Sequence, residues 1–244
     1  MKRWLIFAVT NLLIVAVLGL VVSVIFALLG LDRSGVGFDV WTLAIFALVY
    51  GFAGSLISLF LSRKMAKMWY RVKVVKNPSA VSGKTRVAMR LVEELAMARG
   101  VKTPEFGVWE SPQPNAFATG WSKNSALVAV STGLLEQLDE EGIRGVVAHE
   151  MAHVFNGDMV TMTLLQGLVN AFVIFLSRIL VFVIQGALRE ERGSGLSGLA
   201  YLGLVWLFDI VLGALGFVVV MRYSRRREFA ADAGSAEMVG KSAM

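Results

Sequence analysis

The 244-residue sequence has no cysteine, 2 histidines and 4 prolines, and charged residues make up just 17% of it. Without cysteine there is no disulfide framework and no thiolate metal or redox site, so any metal must be held by histidine and carboxylate. The shortage of charge and proline excludes a disordered chain, and the 24 glycines follow no collagen-like period. What fills the sequence instead is apolar: 56% of residues are hydrophobic and the mean hydropathy is +0.66, too high for an ordinary soluble domain. A net charge of +6 could suggest nucleic acid. The basic residues flank apolar runs, however, which makes them topology signals and lipid-headgroup contacts, and no nucleic-acid partner is expected.

Residues 4–31 and 40–62 contain no charge, and each run exceeds the roughly 20 residues that cross a bilayer as helix. The first lacks a small-residue cleavage site and reads as a span, not a signal peptide. With the turn Leu31-Asp32-Arg33-Ser34-Gly35 between them, residues 1–62 are expected to form a transmembrane hairpin. Lys2 and Arg3 precede it, and Arg63, Lys64, Lys67, Arg71, Lys73 and Lys76 follow it. That bias places both ends in the cytoplasm. Two further apolar runs, 159–188 and 193–221, are interrupted by Arg178 and Asp209 respectively, and Arg222, Arg225, Arg226 and Arg227 mark the cytoplasmic side again. They predict a second hairpin over 159–221 and a cytoplasmic segment over 222–244. An intramembrane charge is costly and normally paired. Arg178 and Asp209 lie at similar depth either side of the 189–192 turn, which predicts an ion pair that holds this hairpin together.

All four prolines fall between the hairpins, where charge returns, so residues 63–158 form the water-exposed domain. Val87, Ala88, Leu91, Val92, Leu95 and Ala96 recur at helical spacing and stop at Gly100, predicting a helix over 80–99. Strand-like runs at 106–109, 116–121 and 126–131 predict a small sheet. A second helix should start at Asp139, an N-cap followed by Glu140 and Glu141, and end at Asn156-Gly157.

Both histidines of the chain stand in His149-Glu150-Met151-Ala152-His153. Spacing of four puts the imidazoles on one helix face, where the pair can bind zinc while Glu150 acts on the water. Ile143, Val147, Met151 and Val154 form an apolar stripe on the opposite side. A hydrolytic zinc site takes three protein ligands and keeps a position open. With no third histidine or cysteine, the third ligand must be a carboxylate. Glu228 and Asp232, again four apart, are the best candidates: one can ligate while the other hydrogen-bonds a ligating histidine.

These residues resemble the HtpX-type membrane-bound zinc metalloproteases, relatives of the CAAX prenyl proteases. The resemblance runs through nearly the whole chain and rests on the two leading apolar runs, Asn115-Ala116-Phe117-Ala118-Thr119-Gly120, His149 to His153, Asn156-Gly157-Asp158, and Glu228-Phe229-Ala230-Ala231-Asp232-Ala233. It implies an α-helical integral membrane protein with four transmembrane helices and a small α+β zincin-like metalloprotease domain on the cytoplasmic face of a bacterial-type inner membrane. It makes His149, His153 and Glu228 the ligands of one zinc ion per chain, Glu150 the catalytic base, Asp232 the orienter of a ligand histidine, and Asn115, Ala116, Phe117 and Ala118 a substrate-binding edge strand. Asp158 receives no role. Members of that family continue for several dozen residues beyond the point matching Met244, through a His-Pro segment, so an oxyanion-stabilising histidine from that tail is expected to be missing here.

The expected function is therefore endopeptidase cleavage of membrane or misfolded proteins in membrane quality control, with the bilayer and unfolded polypeptides as partners. An intramembrane protease is disfavoured, because Glu140, Glu141, Arg144, Asn156 and Asp158 make the histidine-bearing helix too polar for lipid. The alternative is a non-catalytic membrane scaffold or adaptor with a structural metal, which would tolerate loss of Glu150. Oligomeric state is not legible in the sequence.

Overall fold

A computed structural model describes residues 40–192 and 195–240. The span expected over 4–31 and the turn that follows it lie outside the described residues. The chain divides into two compact units: one takes in Met1–Ile57 and Leu164–Met221, the other Ser58–Thr163 and Arg222–Met244. Among the described residues, three helices are long and apolar enough to cross a membrane. They are α1 (Val40–Trp69), α5 (Asp158–Arg192) and α6 (Gly198–Val239).

Within the first unit, α1 and α5 approach closely because their contacts are small. A Cβ built on Gly51 would fall 2.5 Å from the Ala171 backbone nitrogen, and one on Gly216 of α6 would fall 2.4 Å from a Val169 methyl. Such small-residue seams are how helices associate where the solvent is itself apolar. Large side chains point outward instead, with Phe172, Trp206 and Ile210 all about two-thirds exposed in the absence of lipid. Polar groups face inward and are paired. Gln166 donates to Asn170 (2.8 Å), and Asn170 reaches Ser55 of α1 (3.5 Å). Arg178 Nη1 lies 2.6 Å from Asp209 Oδ1, the ion pair expected from the sequence, and the same oxygen accepts a 2.6 Å hydrogen bond from Ser177. The break expected at 189–192 is absent, since α5 runs on through Arg192. The arginines at 222–227 do not begin a new element either, for α6 continues from the apolar run through Glu228 and Asp232.

The second unit is built on a four-stranded mixed sheet of order β1-β2-β4-β3. β1 (Lys73–Val75) pairs antiparallel with β2 (Glu105–Trp109), β2 runs parallel to β4 (Ser125–Ser131), and β3 (Ala116–Ser122) pairs antiparallel with β4. β4 is central and reads as an unbroken apolar run because both of its faces are covered. Ala126, Val128 and Val130 point to the larger core, while Leu127 and Ala129 join Trp109 on the other face, against Ala66 and Val72. The larger core is closed by α2 (Gly83–Ala98) and α4 (Glu140–Asn156), whose Leu91, Val92, Ile143, Val147 and Met151 are buried. α2 starts three residues later than its periodicity suggests, because Pro78–Ala80 form a separate 3-10 turn capped by Asn77. A short helix α3 (Thr132–Gln137) links β4 to α4. β1, too short to show a period, has no signature in the sequence.

Candidate active site

α4 carries both histidines and Glu150, and its ends are set by local rules. The Asp139 side chain accepts from the Gly142 N–H (2.8 Å) to cap the start, and Gly157, at φ +71°, ends the helix in the left-handed conformation that glycine adopts without strain. α5 begins on the very next residue, so the tight turn delivers Asp158 back toward the last turn of α4. The apolar stripe of Ile143, Val147, Met151 and Val154 is fully buried, which turns the opposite face of α4, with His149 and His153, toward α6.

Two carboxylates fix the imidazoles. Asp232 Oδ1 lies 2.9 Å from His149 Nδ1, and Asp158 Oδ2 lies 2.7 Å from His153 Nδ1. A carboxylate can only accept, so each neutral ring carries its proton on Nδ1 and presents a bare lone pair on Nε2. Those two Nε2 atoms face each other at 3.1 Å, and Glu228 Oε2 lies 3.3 Å from one and 3.6 Å from the other. In that tautomer the two Nε2 atoms and the Glu228 carboxylate are all acceptors, a donor set that suits a cation. The spacing suits zinc, since tetrahedral ligands on bonds of about 2.0–2.1 Å stand about 3.3 Å apart. His149, His153 and Glu228 are the one such His/carboxylate group among the described residues able to hold a metal ion.

Asp158 is the residue that sequence reasoning left without a part. Its side chain is 7% exposed, and while Oδ2 meets His153, Oδ1 accepts from the Arg227 Nε at 2.5 Å, with a second Arg227 nitrogen also on it. The buried carboxylate thus joins His153 to the residue next to Glu228. The signal was the string Asn156-Gly157-Asp158 directly after the helix, but its partner stands 69 positions away.

Glu150, between the histidines, is half-buried and accepts a hydrogen bond from the Ala118 backbone N–H. Burial pushes its carboxyl above the ordinary glutamate range, against the pull of His153 and His149 and of that N–H. β3 is one of the two edge strands of the sheet, and Asn115 leads into it. The Asn115 N–H donates to Ser131 Oγ (2.9 Å) and its carbonyl accepts from the Ser131 N–H (2.9 Å). With Asn115 turned toward β4 and Ala118 toward Glu150, the two-residue alternation of a strand turns the Ala116 N–H to the open edge, while Phe117 packs beside Trp109. The structure therefore brings together His149, His153, Glu228, Asp232 and Glu150, and sets the 115–118 segment beside them.

A histidine–histidine–glutamate cluster behind a small mixed sheet, on a chain with membrane-length helices, defines a membrane-associated metallopeptidase. Comparison with known proteins narrows this: the model of peptidase family M48 matches residues 83–244. Protease HtpX of Idiomarina loihiensis is 45% identical over all of this chain and 82% of its own length. A Protease HtpX homolog of Methylacidiphilum infernorum is 49% identical over all of this chain and 80% of its own. The chain belongs to peptidase family M48, among the HtpX proteases. The fold is also that of S. mikatae Ste24p, at a TM-score of 0.62 and 19% identity, covering 97% of this chain; the chain spans 56% of the length of that protein.

Proposed function

We propose that this chain is a zinc metalloendopeptidase that cleaves membrane proteins and unfolded polypeptides at the cytoplasmic face of a bacterial-type inner membrane, in membrane-protein quality control. The observation that carries the reading is the convergence of His149 Nε2, His153 Nε2 and Glu228 Oε2 on one point, beside the half-buried Glu150 carboxylate. In this reading those three residues hold the zinc, with Asp232 orienting His149 and Asp158 orienting His153. The basic clusters at 63–76 and 222–227 support the cytoplasmic side.

When bound, zinc supplies a Lewis acid that polarises the scissile carbonyl and acidifies water. Glu150 takes a proton from the attacking water as its oxygen bonds to the carbonyl carbon. It then returns that proton to the amide nitrogen as the C–N bond breaks, giving a carboxylic acid and an amine with no covalent enzyme intermediate. Substrate enters as an extended segment added to the edge of β3, where the Ala116 N–H and the carbonyls of Ala116 and Ala118 supply main-chain hydrogen bonds. That mode reads backbone over sequence, which suits unfolded chain. The test is metal dependence: stripped protein in detergent should leave an unfolded protein substrate intact and cleave it once zinc is restored. Cleavage that persists without metal would contradict the reading.

A further inference from the structure

We propose that the tip of the β3–β4 hairpin, Trp121 to Asn124, is a foot that rests in the headgroup region of the bilayer in which this chain is embedded. Three observations converge on that tip. Trp121 packs against Phe60 of α1 in a tilted arrangement, with ring centroids 5.9 Å apart, and both residues remain exposed, Phe60 at 60% and Trp121 at 47%. Phe60 stands near the end of the uncharged run 40–62, just before Arg63 and Lys64. A ring in contact with it lies at the edge of the hydrocarbon, where tryptophan is enriched because its body is apolar and its N–H is wet. Arg63 of the same helix donates to Ser125 Oγ at 2.5 Å, fastening the β4 side of the tip to α1.

The third contact comes from another helix. The Lys123 side chain packs near Gly157, its Cε 3.3 Å from where a Cβ on that glycine would stand. Gly157 is the turn from which α5 departs, and the apolar run of α5 begins at Met159. Two separate helices of membrane length therefore meet the hairpin tip within a few residues of where each run loses its charge. Lys64 and Lys123 are exposed, four residues after Phe60 and two after Trp121 in the sequence, and their ammonium groups suit anionic lipid phosphates.

Backbone geometry points Trp121 outward on purpose. The β3–β4 register shifts between Gly120 and Ser122, and Gly120 takes φ +150° where a Cβ would meet the Ser125 carbonyl oxygen at 2.2 Å. Such a bulge re-aims the side chain that follows it. An apolar ring thrust into water would be a liability; against lipid it is an anchor.

One consequence rests on the peptidase reading above. Ala118 is three residues from Trp121, about 10 Å along a strand, so the edge that receives substrate would begin within about that distance of the headgroups. Substrates would then be cut in segments close to the membrane surface.

Depth can be measured without reference to cleavage, so its failure and that of the peptidase reading are distinguishable. Because the chain has no cysteine, single Trp121→Cys, Lys123→Cys and Glu140→Cys variants can each carry one environment-sensitive fluorophore. Glu140 is exposed at the far end of α4, about 25 Å from Gly157 by helix rise. In vesicles of phosphatidylglycerol and phosphatidylcholine, the labels at 121 and 123 should shift to the blue and lose intensity to headgroup-region nitroxide lipids, while the label at 140 does neither. Labels at 121 and 123 as unquenched as the one at 140 would overturn the proposal. A blue shift without lipid quenching would overturn it too, since that reports burial against protein. If Trp121→Cys does not fold, Lys123→Cys carries the measurement alone.

Discussion

The buried Asp158 carboxylate holds His153 Nδ1 at 2.7 Å through one oxygen and Arg227 through the other, so the second histidine of α4 and the residue preceding Glu228 share a single anchor. Replacing Asp158 by Asn keeps the size but loses the charge on which both partners depend. Removing the hydrogen-bond partner of a metal-binding histidine typically costs about 10–100-fold in metal affinity. Asp158→Asn should therefore bind zinc at least tenfold more weakly than the unaltered chain in chelator competition. Unchanged affinity would show that the contact is structural alone.

The open edge of β3 gives a second prediction. Ala116 lies on an edge strand, where proline is tolerated because its missing N–H faces away from the ladder. Ala116→Pro removes one hydrogen bond available to an added strand, worth about 1 kcal/mol or roughly fivefold in binding. KM for an extended peptide should rise about fivefold while zinc content and the far-ultraviolet spectrum stay the same. An unchanged KM would place substrate elsewhere.

A third concerns the pair between Arg178 and Asp209, which Ser177 completes. Arg178 and Asp209 are half-buried, and removing one partner of such a pair strands the other charge, whereas replacing both by apolar groups is often close to neutral. Asp209→Leu should lower the unfolding temperature in detergent markedly, and Arg178→Leu with Asp209→Leu should recover most of the loss. Equal losses in the single and double variants would mean that the pair holds nothing.

Local rules made much of this legible in advance. Asp139 and Gly157 bound α4 where capping chemistry puts them, and the period of Ile143, Val147, Met151 and Val154 told which face is buried and hence which face His149 and His153 present. The strands of the hairpin each run one residue further into the turn than their sequence patterns, to Ser122 and from Ser125, and match them at the outer ends. What could not be read depends on contacts between distant segments. The parallel pairing of β2 with β4 carries no local mark, since either strand pattern serves parallel or antiparallel neighbours. β1 exists because Gly107 leaves room for Val72 beside β2, a packing event and not a propensity. Asp158 was overlooked because Arg227 had first to be brought to it by α6, and a charge after a helix looks the same whether it faces solvent or a histidine.

The claim at the centre of this account is that Glu150 acts on the reaction and not on the metal, for it stands between the two histidines yet is no part of the cluster of acceptors. The most direct measurement compares cleavage of an unfolded protein by the zinc-loaded chain and by Glu150→Gln, with zinc content determined on both. The account predicts one zinc per chain in each, and a fall in kcat of about 10²–10⁴-fold in the variant, the range a positioned general base supplies. Turnover retained in Glu150→Gln at full zinc occupancy would contradict it.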